Sequence, residues 1–223
     1  MTTVAQVKQV MQPLLERNTD LTLVGRLVAI KPVRHILRGI SIGRSLATNL
    51  FVPSWAVIFL FEPRVNFPLN WGGRVYGPGA WDLIEHDDLP NMMRDAVEKE
   101  ALPLLRPIQT IDDLVEFASE ERFPNTYLNL YEHRKIFVDV ARGDLDSAHS
   151  ICEYMATERA KRRYLPNMRE EYDRIAKELC PLIAADDRPG LARLLHKYEE
   201  GSVRAMKLEK YWEPTPFPIE LES

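Results

Sequence analysis

The chain has 223 residues, 45% of them hydrophobic and 28% charged, with a net charge of −4. This balance is ordinary for a globular protein, excludes wholesale disorder, and suits one large domain or two small ones. The longest apolar stretch, Phe51 to Phe61, is too short to span a bilayer and holds Pro53 and Ser54, and Met1 to Gln12 carry no export signal, so the expected setting is the cytoplasm, away from membranes.

The first predicted element is an amphipathic helix. Thr3-Val4-Ala5-Gln6 reads as a capping box, in which a hydroxyl accepts an amide hydrogen bond and Gln reaches back. Val4, Val7, Met11 and Leu14 follow at helical spacing, and Pro13 is expected to kink the last turn.

Three strand candidates come next: Leu21 to Ile30, Val33 to Ile42 and Phe51 to Phe61. They are rich in Val, Ile, Leu and aromatics and are separated by Lys31-Pro32 and by Gly43 to Asn49, which predicts an antiparallel meander. Arg74-Val75-Tyr76, between Trp71-Gly72-Gly73 and Gly77-Pro78-Gly79, is a fourth strand or a loop.

From Asp87 the rhythm becomes helical. Asp87 or Asp88 caps a helix faced by Leu89, Met92, Met93, Ala96 and Val97, which Pro103 and Pro107 are expected to close. Thr110 caps a shorter helix through Phe117, and four stripes follow. Tyr127, Leu130, Phe137, Val138 and Ala141 form the first; Leu145, Ala148, Cys152 and Met155 the second. Met168, Tyr172, Ile175, Leu179 and Ile183 form the third; Leu191, Leu194, Leu195, Tyr198 and Met206 the fourth. Gly143-Asp144 supplies a left-handed stop and an N-cap between the first two. Cys152 and Cys180 sit among apolar neighbours, and in a reducing compartment the expectation is two buried free thiols.

The fold class is therefore α+β: an N-terminal helix on an antiparallel sheet of three to four strands, then an all-helical part of antiparallel hairpins. Charge sorts with this division. Through Trp81 there are nine Lys and Arg against three acids, a net of +6, which leaves −10 for the remainder. The expected domains are a basic helix-plus-sheet domain over residues 1–82, an acidic helical domain over 83–211, and a Pro-rich extended tail over 212–223.

Arg34, Arg38 and Arg44 share a parity, so a regular strand directs them to one sheet face, where guanidinium forks match phosphate or carboxylate oxygens. Ile36, Ile40 and Ile42 share that parity too, and the ordinary reading is that the arginines pair with the acidic helices. His35 has the opposite parity and carries the side chain most often used as a general base, but no Ser, Cys or acid stands beside it at triad spacing. Arg34, His35, Arg38 and Arg44 are the candidate anion-binding residues, and no catalytic residue is assigned.

Trp71 and Tyr76 flank a glycine-rich stretch without the G-K-[ST] of a phosphate loop. They are the candidate ligand-stacking residues, with capping of the core as the ordinary alternative. His149-x-x-Cys152, with His133 and Cys180, lacks paired zinc spacing, so neither metal nor cofactor is assigned. The basic run Arg159, Lys161, Arg162 and Arg163 suits a helix C-terminus, and nucleic-acid binding there is disfavoured by acidic surroundings.

Leu27 to Ser45, holding Lys31-Pro32-Val33-Arg34-His35 and Leu37-Arg38-Gly39 before Arg44-Ser45, resembles a segment of a family of uncharacterised bacterial proteins. Val52 to Phe61 around Trp55 is similar to theirs as well. The resemblance covers the first third of the chain. That family has no established activity, so it implies no catalytic residues. The same region loosely resembles helix-plus-sheet domains among immunity proteins of bacterial toxin systems, which implies a protein partner.

Three functional expectations result. The leading one is a binding protein rather than an enzyme, immunity-like in its specific version, whose acidic helical part captures a basic partner. The second is an enzyme or anion sensor, which requires Arg34, His35 and Arg38 to converge on a pocket not already filled by acids. The third is nucleic-acid binding through the basic sheet, with affinity falling steeply with salt.

Overall fold

A computed structural model describes residues 2–43, 49–63, 71–77, 81–120, 132–157 and 169–221. The chain is α+β and divides into two units. The first comprises Met1–Phe59, Asn66–Thr110 and Val203–Pro214; the second comprises Leu60–Val65, Ile111–Ser202 and Thr215–Ser223.

The first unit opens with helix α1 (Val4–Arg17). Its capping box forms as the residue types require: the Gln6 amide donates to Thr3 Oγ1 at 3.2 Å, and the Thr3 amide donates to Gln6 Oε1 at 2.8 Å. Val7, Val10, Met11 and Leu14 are buried, while Val4 stays exposed on the first turn.

The sheet is antiparallel with strand order β1-β2-β3-β4-β5, and β6 pairs with the start of β4. The strands are β1 (Leu21–Val24), β2 (Leu27–Ile30), β3 (Ile36–Gly43), β4 (Leu50–Phe59), β5 (Trp71–Arg74) and β6 (Trp81–Asp82). Six strands replace the three or four expected, for local reasons. Gly25, at φ +62°, lets the first expected strand fold back as a tight hairpin that pairs Leu21 with Ile30. Trp71-Gly72-Gly73, which reads as a turn, is a strand instead. Gly73 lies opposite Trp55, where a Cβ would come within 2.6 Å of the indole nitrogen, so the missing side chain makes room for the ring. Gly39 serves a similar purpose between β2 and β3, since a Cβ there would lie 2.2 Å from the Val28 carbonyl oxygen.

Helix α2 (Leu89–Ala96) packs on α1 and buries Leu89 and Met93. Pro103 does not close it. A π turn over Val97–Ala101 carries the helix into α3 (Leu102–Leu105). A proline inside an α-helix lacks one amide and crowds the carbonyl four residues back; the wider turn just before it accommodates the ring. The same arrangement recurs in the second unit before Pro181. Leu208–Pro214 brings a chain segment beside Val33, whose amide donates to the Tyr211 carbonyl at 3.0 Å and whose carbonyl accepts from the Glu213 amide at 2.8 Å. The Pro-rich tail thus begins paired rather than loose.

The second unit contains α4 (Ile111–Ala118), α5 (Glu132–Arg142), α6 (Leu145–Ala156), α7 (Arg169–Arg174), a π turn over Ile175–Leu179, and α8 (Cys180–Ala184). Helix α9 (Arg188–Ala205) belongs to this unit through Ser202. Gly143, at φ +84°, and Asp144, which accepts from the Ser147 amide at 3.1 Å, make the tight turn between α5 and α6. Ile136, Phe137, Val140, Ala148, Ile175, Leu179, Leu191 and Leu195 are buried here. Phe217 from the tail is buried edge-on against Phe61 at 5.4 Å, and Glu220 caps the turn that follows it.

The expectation of two free thiols is overturned. Cys152 on α6 and Cys180 at the start of α8 are joined as a disulfide. Cys152 belongs to one helical stripe and Cys180 stands next to Leu179 of another, and only the packing of α6 on α8 shows that they meet at these two sulfurs. Tyr127, Leu130, Met168 and the basic run from Arg159 to Arg163 lie outside the described residues. Among the described residues no helix is long and apolar enough to cross a membrane.

Candidate anion-binding site

A cavity of about 270 Å³ lies within the first unit. Its wall is built where the end of β2, the Lys31-Pro32 link and the start of β3 meet the residues after α3. Lys31, Arg34, Arg38 and Arg106 supply four cations, and Asp20 supplies one carboxylate.

The three arginines are held by local structure. Arg38 sits on β3 opposite Val57 and is only 7% exposed; its Nη2 donates to the Pro32 carbonyl at 3.3 Å, which turns the guanidinium toward the connection rather than along the sheet. Arg34 precedes β3, next to the bridge between Val33 and Trp212. Its guanidinium meets the Glu213 carboxylate at 3.1 and 3.2 Å, and both side chains are about half exposed. Arg106 grips both Asp20 carboxylate oxygens at 3.0 Å and donates to Asn18 Oδ1 at 2.7 Å. Asn18 in turn donates to the Leu14 carbonyl at 2.9 Å and to Glu98 at 2.7 Å, which ties the end of α1 to the π turn and fixes Arg106 at the rim.

Counting Glu213 with Asp20, the described residues place four positive groups and two negative ones here. A partly enclosed site with a surplus of positive charge draws anions, and guanidinium forks match planar or tetrahedral oxyanions. The volume is roughly that of nine waters at about 30 Å³ each, enough for a small organic anion and far too little for a macromolecular segment.

Of the residues that sequence reasoning singled out, Arg34 and Arg38 line this cavity together. They do not do so as one pleated row: β3 begins at Ile36, so Arg34 reaches the cavity from the link before the strand. His35 is buried and is not part of the cavity wall. Arg44 lies outside the described residues. Lys31 belonged to the distinctive string but was given no role, and Arg106 was missed altogether. Nothing in its local sequence sets Arg106 apart; only the fold carries it to a site some seventy residues earlier in the chain.

Trp71 and Tyr76 are not brought together. Trp71 is buried, with its ring tilted on Phe59 at 6.3 Å. Tyr76 is 71% exposed and borders a separate cavity of about 250 Å³ with Phe51, Arg74 and Trp81. In the second unit His149 pairs with Glu153 at 3.5 Å, and the Cys152 sulfur is engaged with Cys180. His133 is buried, with Nδ1 3.2 Å from the Tyr172 hydroxyl, and burial lowers its pKa from the usual 6.5 despite the opposing pull of Glu62 and Glu132.

Compared with known proteins, the chain matches no family model, no curated protein and no solved structure.

Proposed function

We propose that this protein is a binding protein whose ligand is a small organic anion, a carboxylate or a phosphate ester, held in the cavity of the first unit. The observation that carries this reading is the convergence of Lys31, Arg34, Arg38 and Arg106 on one cavity whose wall, among the described residues, includes a single carboxylate. The ordinary alternative is that these arginines are consumed by ion pairs, as Arg106 is with Asp20. Arg34 takes its partner, Glu213, from the tail, and that pair is exposed enough to exchange at little cost. Arg38 donates to the Pro32 carbonyl and lines the cavity.

Isothermal titration calorimetry against di- and tricarboxylates and small phosphate esters tests the proposal. Saturable binding that weakens with added salt is expected. Arg38→Met is expected to lose about 10- to 100-fold in affinity, the worth of a charge-assisted hydrogen bond. Arg106→Gln, at the rim, gives a second reading if the Arg38 variant folds poorly. No saturable heat with any of these anions, or unchanged affinity in both variants, would sink the proposal.

A further inference from the structure

We propose that Cys152–Cys180 is a thiol–disulfide exchange site that reacts with low-molecular-weight thiols entering the cavity beside it. That cavity, of about 720 Å³, lies wholly in the second unit and is a different feature from the anion site. Both cysteines form part of its wall, with Met155, Tyr172, Arg169 and Asp173. Its volume falls within the range of small-molecule sites, and its mixture of sulfur, aromatic and aliphatic surface with one cation and one anion suits a compact, charged thiol.

Two features separate this bond from a sealed structural staple. Neither cysteine belongs to the buried core, and the cavity gives an incoming sulfur a path to the bond. Arg169 lines the same cavity, and a cation within reach favours the thiolate that leaves when the bond opens, with Asp173 as the opposing charge.

The chemistry balances without a metal or cofactor. The thiolate of the small molecule attacks one cysteine sulfur and forms a mixed disulfide. The protein disulfide breaks, and its electron pair leaves on the other cysteine as a thiolate, which takes a proton from water. A second small thiol attacks the mixed disulfide and departs as the small-molecule disulfide, leaving two cysteine thiols. Two electrons pass from two small thiols to the protein, and the reverse reaction restores the bond.

Intact-mass spectrometry of the native, full-length protein in buffers of reduced and oxidised glutathione gives the test. The expected result is reversible interconversion of disulfide and dithiol as the ratio changes, with a mixed disulfide accumulating on the remaining cysteine in Cys152→Ser or Cys180→Ser. Arg169→Glu is expected to slow exchange severalfold. A disulfide that persists under excess reduced glutathione and opens only in denaturant would mark a structural staple and overturn the proposal. Two thiols that stay free under oxidised glutathione would overturn it equally.

Discussion

Arginine does two different jobs in the two units. In the first, Arg34 and Arg106 stand at the edge of a cavity, partly exposed, with carboxylate partners that are themselves near solvent. In the second, Arg134 is 13% exposed at its side chain and meets Glu62, which is 1% exposed, at 3.3 Å. The same guanidinium–carboxylate pairing stands at a cavity edge where water screens it and in the interior where water is excluded. The lesson is energetic: an exposed pair is cheap to open, whereas an interior pair holds only while both members remain.

This contrast is most sharply tested by removing Arg134. Arg134→Met leaves the Glu62 carboxylate buried without its countercharge, and we expect a loss of about 3–5 kcal/mol in urea unfolding. A loss below about 1 kcal/mol, the range of surface pairs, would erase the distinction between the units.

The second test uses pH. His133, beside this pair, has its pKa lowered first of all by burial, so below 6.5 the unfolded chain takes up a proton that the folded chain refuses. Its contribution to stability is therefore fully present above pH 6.5 and is lost as pH falls through and below that value, with a slope of at most about 1.4 kcal/mol per pH unit. Chemical unfolding measured across this window, in the wild type and in His133→Gln, checks it. The variant should flatten the profile; an unchanged slope would assign the pH dependence to other groups.

The smallest effect belongs to Arg34. Arg34→Met removes an exposed pair with Glu213 and should change stability by about 0–1 kcal/mol, while weakening the binding of small anions. A large stability loss with no effect on binding would place Arg34 with Arg134, as architecture.

Parts of this structure were legible in advance because they are local. The capping box at Thr3 and Gln6 and the Gly143-Asp144 turn depend on residues within one turn of each other. The change from strand to helix near Asp87 is likewise written in the spacing of apolar side chains. Other parts were misread for equally local reasons. The Gly25 turn lacks the Asn-Gly or Asp-Gly signal of a two-residue hairpin, and Trp71-Gly72-Gly73 looks like a loop until Trp55 is placed across from it. Pro103 looks like a stop until the π turn before it is seen.

The candidate site divides the same way. Arg34 and Arg38 were visible because they are close in sequence and carry the right chemistry. Arg106, and the meeting of Cys152 with Cys180, were not.

By itself the sequence determined the change from strands to helices along the chain, where two of the helices are capped, and that positive charge gathers early, because each of these follows from neighbours within a few residues. Only the tertiary structure decided that Arg106 joins Arg34 and Arg38 around one cavity and that two distant thiols come within bonding reach. Those encounters are fixed by the packing of whole elements, and no short-range pattern of residues records which distant side chains that packing will bring together.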